Sequence, residues 1–326
     1  MEASAAVKAT TKFEFKMGKA TREAYGEALA ELGRANPNVV ALDADLAKST
    51  FSATFGKEFP DRFFTVGIAE ANMVSIAGGL ALSGKIPFAS SFAVFLSDKG
   101  YDQLRMSVAY PGVNAKFCGS HGGISIGEDG PSQQSVEDLA LMCALPGFVV
   151  LHPADEFAAR ALVRRMAEHA GPCYMRTGRA KAPIVYGPND SFEIGKAKVH
   201  GSGRDVAIVA CGFEVGYALQ AQAQLDEQGI AARVLDMHTL KPLDDEAVAI
   251  AARECGALVT AEEHVLDGGL GSRVAAAAAR SCPVPIEFVG IRNTYAESGA
   301  PDQLMEKYGL TTPYIVQAVK TVLKRK

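Results

Sequence analysis

Residues 62–84 read RFFTVGIAEANMVSIAGGLALSG, a β-branched and aromatic run that breaks at Gly67 and resumes as a run of small and apolar residues. The first part, "RFFTV", predicts a short buried strand, because such side chains suit a pleated surface. The second, "VSIAGGLALSG", predicts a closely packed helix. A strand feeding a helix through a short turn is the repeating unit of α/β folds, whose parallel strands need such crossovers. The same unit recurs on both sides. Upstream, "TREAYGEALAELGRAN" has helical spacing and "VVALDADL" is a strand with a polar end. Downstream, "KIPFASS", "AKFCGSHGG" and "PCYMRTG" predict strands, and "FVVLHPADEFAARALVRRMAEHAG" a strand, a turn near Pro153-Ala154-Asp155 and a helix.

The stretch "RAKAPIVYGPNDSFEIGKAKVHGSGRD" interrupts this rhythm with Pro, Gly, Asn and Asp, which mark a linker. A second unit follows, with "VAIVACG", "ARVLDMHTL", "ALVTAEEH" and "IEFVGI" as strands. The fold class is therefore α/β, with two domains and mostly parallel sheets. The expected divisions are an N-terminal extension (1–13), a first domain (14–190) and a second (191–326). A length of 326 residues suits two domains.

Composition excludes several classes. A net charge of -4 and a pI near 5.9 leave no footprint for nucleic acid. The basic "KTVLKRK" reads as the solvated end of a last helix. No apolar run reaches the roughly 18–20 residues that span a bilayer, and the N-terminus lacks the apolar core of a signal peptide. The six cysteines are scattered without a CxxC pair, as small core residues in a reducing, cytoplasmic setting. No HExxH or clustered set suggests a metal held by this chain alone.

Glu70 raises a sharper question, since it is the one carboxylate in the opening stretch. Its place in a first helical turn would favour a negative charge by roughly 0.3–1 kcal/mol, which alone could account for it. Yet Asp45, Ser91, His121 and Arg179 also fall where predicted strands end. Ligands of open α/β sheets bind beyond those ends. The glycine-dense "GSHGGISIGEDGPSQQSVEDLA", residues 119–140, carries His121, Glu128, Asp129, Gln133 and Gln134 on a loop long enough to be functional. It holds neither GxGxxG nor GxxxxGK[ST].

In order and spacing, "GIAEANM", "SSFAVF" and "SHGGISIGEDGPSQQ" resemble the pyrimidine-binding half of transketolase, a thiamine-diphosphate enzyme that moves two-carbon ketol units between sugars. The likeness runs from about residue 14 to the end, through "ATREAYGEALAELG", "ALDADLAKSTFS", "YMRTGR", "ARVLDMHTLKPLD" and "TAEEHVLDGGLGS". It implies that Glu70 hydrogen-bonds N1′ of the cofactor's aminopyrimidine, so that the tautomer able to remove the thiazolium C2 proton forms. It places Phe92 and Phe95, three apart on a helix, as an aromatic wall, with Asp98 where some relatives have a further aromatic. Asp45 matches a carboxylate near the cofactor. Arg22, Ser49, His121 and Arg179 match positions that bind a sugar's terminal phosphate, a role for which the planar guanidinium is suited. Asp129 matches the residue that contacts a donor hydroxyl.

Gln133 stands where bacterial and yeast enzymes carry histidine near the reacting oxygen and mammalian types carry glutamine; it can orient a hydroxyl but cannot titrate. The diphosphate-binding domain, with its GDG…N motif and Mg²⁺ ligands, has no match here. The resemblance therefore implies the C-terminal subunit of a split transketolase, with thiamine diphosphate and Mg²⁺ completed by an N-terminal partner subunit, most simply two copies of each chain, and with sugar phosphates as substrates. Alternatives are the β subunit of a 2-oxoacid dehydrogenase, a fragment like deoxyxylulose-phosphate synthase, or a non-catalytic regulatory subunit.

Overall fold

Strands whose sequences are unbroken apolar runs are buried at every residue, as expected where helices cover both faces of a parallel sheet. The computed structural model describes residues 16–326, so the expected extension at 1–13 lies outside the described residues. Along the chain run β1 (Met17–Ala20), β2 (Val39–Asp43), β3 (Phe63–Thr65), β4 (Ile86–Phe92), β5 (Lys116–Ser120), β6 (Val149–Leu151) and β7 (Cys173–Thr177). Then come β8 (Lys181–Pro183), β9 (Lys198–His200), β10 (Val206–Ala210), β11 (Ala232–Asp236), β12 (Thr239–Lys241), β13 (Leu258–Val265) and β14 (Ile286–Ile291).

One seven-stranded sheet has the order β12-β6-β7-β5-β4-β2-β3 and is parallel except for β12. A five-stranded sheet has the order β14-β13-β10-β11-β9 and is parallel except for β9. β1 and β8 form an antiparallel pair. The α/β class with mostly parallel sheets is thus observed.

Two readings of the sequence need correction. "ARVLDMHTL" is two strands: β11 stays in the second sheet, whereas β12 crosses to pair with β6 of the first. Periodicity cannot reveal that change of sheet, because β11 and the first two residues of β12 are all buried. "RFFTV" is not a buried strand. β3 ends the order of its sheet, and Phe64 is 42% exposed.

Four helices position the site: α1 (Thr21–Ala35), α2 (Ala47–Thr50), α3 (Ala53–Glu58) and α4 (Glu70–Leu82). β2 lies between β3 and β4, so the chain leaves it on one side and returns on the other. Such a reversal opens a crevice at the carboxyl ends of the strands. Asp43 ends β2, Phe92 ends β4, and Ser120 ends β5 just before His121.

Candidate active site

Glu70 opens α4 after a turn through Gly67, whose φ of +73° suits glycine. Its position in the first turn agrees with the helix-dipole reading, but its contacts go further. The side chain is buried, Ser91 Oγ donates to Oε1 at 3.3 Å, and the Lys99 ammonium lies 3.7 Å from Oε2. The surroundings of this carboxylate are thus more polar than the opening stretch suggests. Lys99 ends a π-helical turn, Phe95–Lys99, and its ammonium stands 4.3 Å from the centroid of the Phe95 ring. Turns of this type recur at functional sites.

The Phe92 and Phe95 rings lie nearly parallel, at 5.7 Å between centroids and 14° between planes. Their spacing predicted a shared helix, which the structure does not show. Phe92 closes β4 and Phe95 starts the π-helical turn. Lys99 was missed, although Phe95 and Lys99 are four apart, the spacing at which helical side chains meet.

A second group forms around His121, a buried residue with a left-handed backbone at φ +62°. Its ring stacks on Phe92 at 3.9 Å and 26°. Arg22 Nη1 lies 3.1 Å from His121 Nε2, and a guanidinium can only donate. Nε2 therefore accepts, so Nδ1 carries the proton and donates to Ser120 Oγ at 2.8 Å. Burial, then the charges of Arg22 and Arg179, push the imidazole down to about 3. His121 is a neutral ring with one defined tautomer at neutral pH.

Arg22 also donates to the Ser49 carbonyl at 2.9 Å and sits 5.2 Å from the centroid of the Phe51 ring, while its Nε–H is buried with no partner. Burial foremost, with a contribution from Arg179, makes its charge costly. Arg179 donates to the Ile126 carbonyl and pairs with the exposed Glu128 at 3.0 Å. Two guanidiniums, one carboxylate and an unpaired N–H donor favour an anion. Three of the four residues matched to a phosphate site thus converge; Ser49 contributes its main-chain carbonyl.

The glycine-dense loop is buried from His121 through Gly127, and the second domain holds it there. A Cβ on Gly123 (φ +84°) would stand 2.2 Å from the Glu263 carboxylate. Glu263 Oε1 accepts from the Ser125 N–H at 2.6 Å. Arg176 donates to the Glu263 carbonyl at 2.8 Å and the Ser135 carbonyl at 2.7 Å, and Gln134 Nε2 to the Glu297 carbonyl at 3.0 Å. Gln134 is thereby a brace, whereas Gln133 is half-buried and accepts from Ser132 Oγ at 2.6 Å. Asp129 and Asp45 are exposed. Among the described residues, none of Asp45, Asp129 and Gln133 hydrogen-bonds to Glu70, Arg22 or His121. The roles of Arg176 and Glu263 were not legible beforehand, although "YMRTGR" and "TAEEH" carried them.

Among the described residues, no group of three or more His, Cys, Asp or Glu side chains is placed to hold a metal ion, and no helix is long and apolar enough to cross a membrane. The six cysteines are free, and all but Cys282 are buried.

Comparison with known proteins gives these contacts a context. Residues 17–184 match the transketolase pyrimidine binding domain, and residues 195–315 the transketolase C-terminal domain. The 6-deoxy-6-sulfo-D-fructose transketolase subunit SqwH of Clostridium sp. is 43% identical over 94% of this chain and 95% of its own length. Human transketolase is 41% identical over 94% of this chain, which spans only 49% of that protein. A solved split gene transketolase, described as an inactive β4 tetramer, is 48% identical and superposes with a TM-score of 0.88, covering 94% of this chain and 99% of that one. With both domains matched in order and along nearly its whole length, the chain belongs to the transketolase family.

Proposed function

We propose that this chain is the pyrimidine-side subunit of a two-subunit, thiamine-diphosphate-dependent transketolase that works in the cytoplasm on ketose and aldose phosphates. The observation that carries the reading is Glu70: a buried carboxylate beside paired aromatic rings, on a helix whose flank is uncovered. Phe64 on β3, Ile68 before α4 and Leu82 at its end are 42%, 75% and 75% exposed. Exposed apolar side chains at both ends of this helix and on the neighbouring edge strand leave surface that a partner can cover. The split gene relative, of the same extent as this chain, supports a partner subunit.

The residues present fit the pyrimidine end of the cofactor. Phe92 and Phe95 provide aromatic surface, and offset packing on a flat heterocycle contributes about 0.5–1.5 kcal/mol beyond burial. When bound, thiamine diphosphate supplies the nucleophilic carbon that takes up and releases the two-carbon unit. Glu70 holds the proton at N1′, and Ser91 keeps the carboxylate turned toward the crevice. Arg22 and Arg179 bind the anionic end of the sugar, and neutral His121, held by Ser120, steadies the Arg22 guanidinium beside it. Asp129 and Gln133, on the rim, orient donor hydroxyls. Asp45 borders the cofactor. Mg²⁺ and the diphosphate are held by the partner, most simply with two copies of each chain about a two-fold axis.

Arg22→Ala and Arg179→Ala are expected to weaken use of phosphorylated donors about ten- to a hundred-fold each, from loss of a charge-assisted contact of about 1.5–3 kcal/mol. A sulfonate presents similar anionic oxygens, so a panel of phosphorylated, sulfonated and uncharged ketoses read by mass spectrometry assigns the donor. Equal losses on charged and uncharged donors would remove the phosphate-site reading.

Lys99 opposes cofactor entry, because its ammonium covers a face of Phe95 and engages Glu70. The ammonium is half-exposed, and cation–π contacts at such sites contribute about 0.5–1 kcal/mol. Lys99→Met is accordingly expected to tighten thiamine diphosphate binding by the assembled enzyme several-fold, measured by calorimetry. Weaker binding would show that Lys99 assists the cofactor instead.

A further inference from the structure

A buried carboxylate outside the contacts of Glu70 and His121 lies behind the anion group. Asp43, the last residue of β2, is 0% exposed. Its Oδ1 accepts the Leu46 N–H at 2.6 Å, and its Oδ2 accepts the hydroxyls of Thr50 at 2.7 Å and Ser52 at 2.8 Å. All three partners are donors, so the loop is built around an ionised carboxylate. The loop itself contains two left-handed non-glycine residues, Asp45 (φ +67°) and Phe51 (φ +64°), a conformation that needs external support.

The loop's output is Arg22. The Ser49 carbonyl accepts from Arg22 Nη1 at 2.9 Å, and the Phe51 ring lies under the guanidinium at 5.2 Å. Phe51 in turn is fitted against α1, where a Cβ on Gly26 would stand 2.4 Å from the Phe51 carbonyl oxygen. We infer that Asp43 is a positioning residue for anion binding: its carboxylate ties down residues 44–52, and through Ser49 and Phe51 this fixes Arg22 against His121. The inference rests on reading the Arg22–His121–Arg179 group as an anion site.

Burial raises the Asp43 carboxyl to about 6, with its three hydrogen bonds opposing the rise and the neighbouring Asp45 adding to it. The other titratable groups that face it are Tyr25 on α1, whose hydroxyl burial holds well above its ordinary range, and the Cys118 thiol on β5, pushed up to about 12. Neither changes charge between pH 5 and 8. Protonated Asp43 has a donor where it had an acceptor, facing three donors, so the loop loosens as the pH falls through about 6. The sign for global stability is opposite. Asp43 binds its proton more tightly folded than unfolded, so on its account stability rises as the pH drops from 6 toward 4. Loss of anion binding on acidification is therefore local.

Sulfate is the probe, because its charge is constant between pH 5 and 8. The full chain is titrated with sulfate at pH 7.5 and 5.0, with the His121 ring resonances followed by NMR and the melting temperature recorded alongside. Wild type is expected to bind about ten-fold more weakly at pH 5.0. Asp43→Asn is expected to bind at the weak level at both pH values, with a melting temperature close to wild type at pH 5.0. Ser52→Ala and Thr50→Val, each removing one donor, are expected to weaken binding several-fold at pH 7.5, which keeps the test open should Asp43→Asn fold poorly. Arg22→Ala is the control for the site. Wild-type affinity and pH dependence in Asp43→Asn, with binding lost in Arg22→Ala, would overturn the role of Asp43 alone. Full sulfate binding by Arg22→Ala would overturn the anion site and this inference with it.

Discussion

Glu70→Ala is expected to leave the chain folded and able to assemble, and to lower ketol transfer by roughly 10²- to 10⁴-fold, the range general acid–base groups contribute. The partners of Glu70 make the folding part of that expectation safe. Lys99 is half-exposed and Ser91, though buried, is uncharged, so neither is left as an uncompensated buried charge when the carboxylate is removed. Truncation leaves space but no orphaned ion. The catalytic part follows from the proposed proton at N1′, which an alanine cannot hold. Glu70→Gln is the sharper companion: it keeps the shape and can still accept from Ser91, but cannot exchange a proton. NMR of cofactor C2-proton exchange in the assembled enzyme isolates this step from substrate binding. Exchange at the wild-type rate in either variant would remove Glu70 from the chemistry.

What the sequence disclosed, and what it hid, follows from the range of the interactions. Glu70, the strand ends and the helix after Asp155 were legible because each depends on neighbours a few residues away; Asp155 itself caps that helix through the Ala158 N–H at 2.8 Å. The β12 crossover was not, since pairing between Thr239 and Leu151 leaves no local trace. Nor was the brace from Arg176 to Glu263, because both lie within buried runs that read equally well as plain core. The exposure of β3 was misread because its aromatic residues are those of an interior strand, and local composition cannot report that β3 is the edge of its sheet among the described residues. Asp43 was passed over in favour of Asp45 two residues on, although it is Asp43 that lies buried, tied into the loop by three hydrogen bonds. The family likeness supplied the expected roles of Arg22, His121 and Arg179; the structure adds that they meet.

The largest effect expected of all comes from withholding the partner. In the proposed reading this chain offers aromatic surface and a carboxylate to a pyrimidine, and two guanidiniums to the anion of a sugar. It contributes no cluster of His, Cys, Asp or Glu placed to hold a metal among its described residues. Divalent ions that bridge diphosphates lean on carboxylate or carbonyl oxygens and waters. Each missing charge-assisted contact costs about 1.5–3 kcal/mol, so two or three lacking together weaken binding by about 10²-fold or more. Turnover should be absent with it.

The most direct measurement is isothermal titration of thiamine diphosphate with Mg²⁺ into the purified chain, alone and with the diphosphate-binding subunit, each paired with a ketol-transfer assay. Binding and turnover are expected only when both subunits are present. Tight, magnesium-dependent binding with turnover by the chain alone would contradict the account.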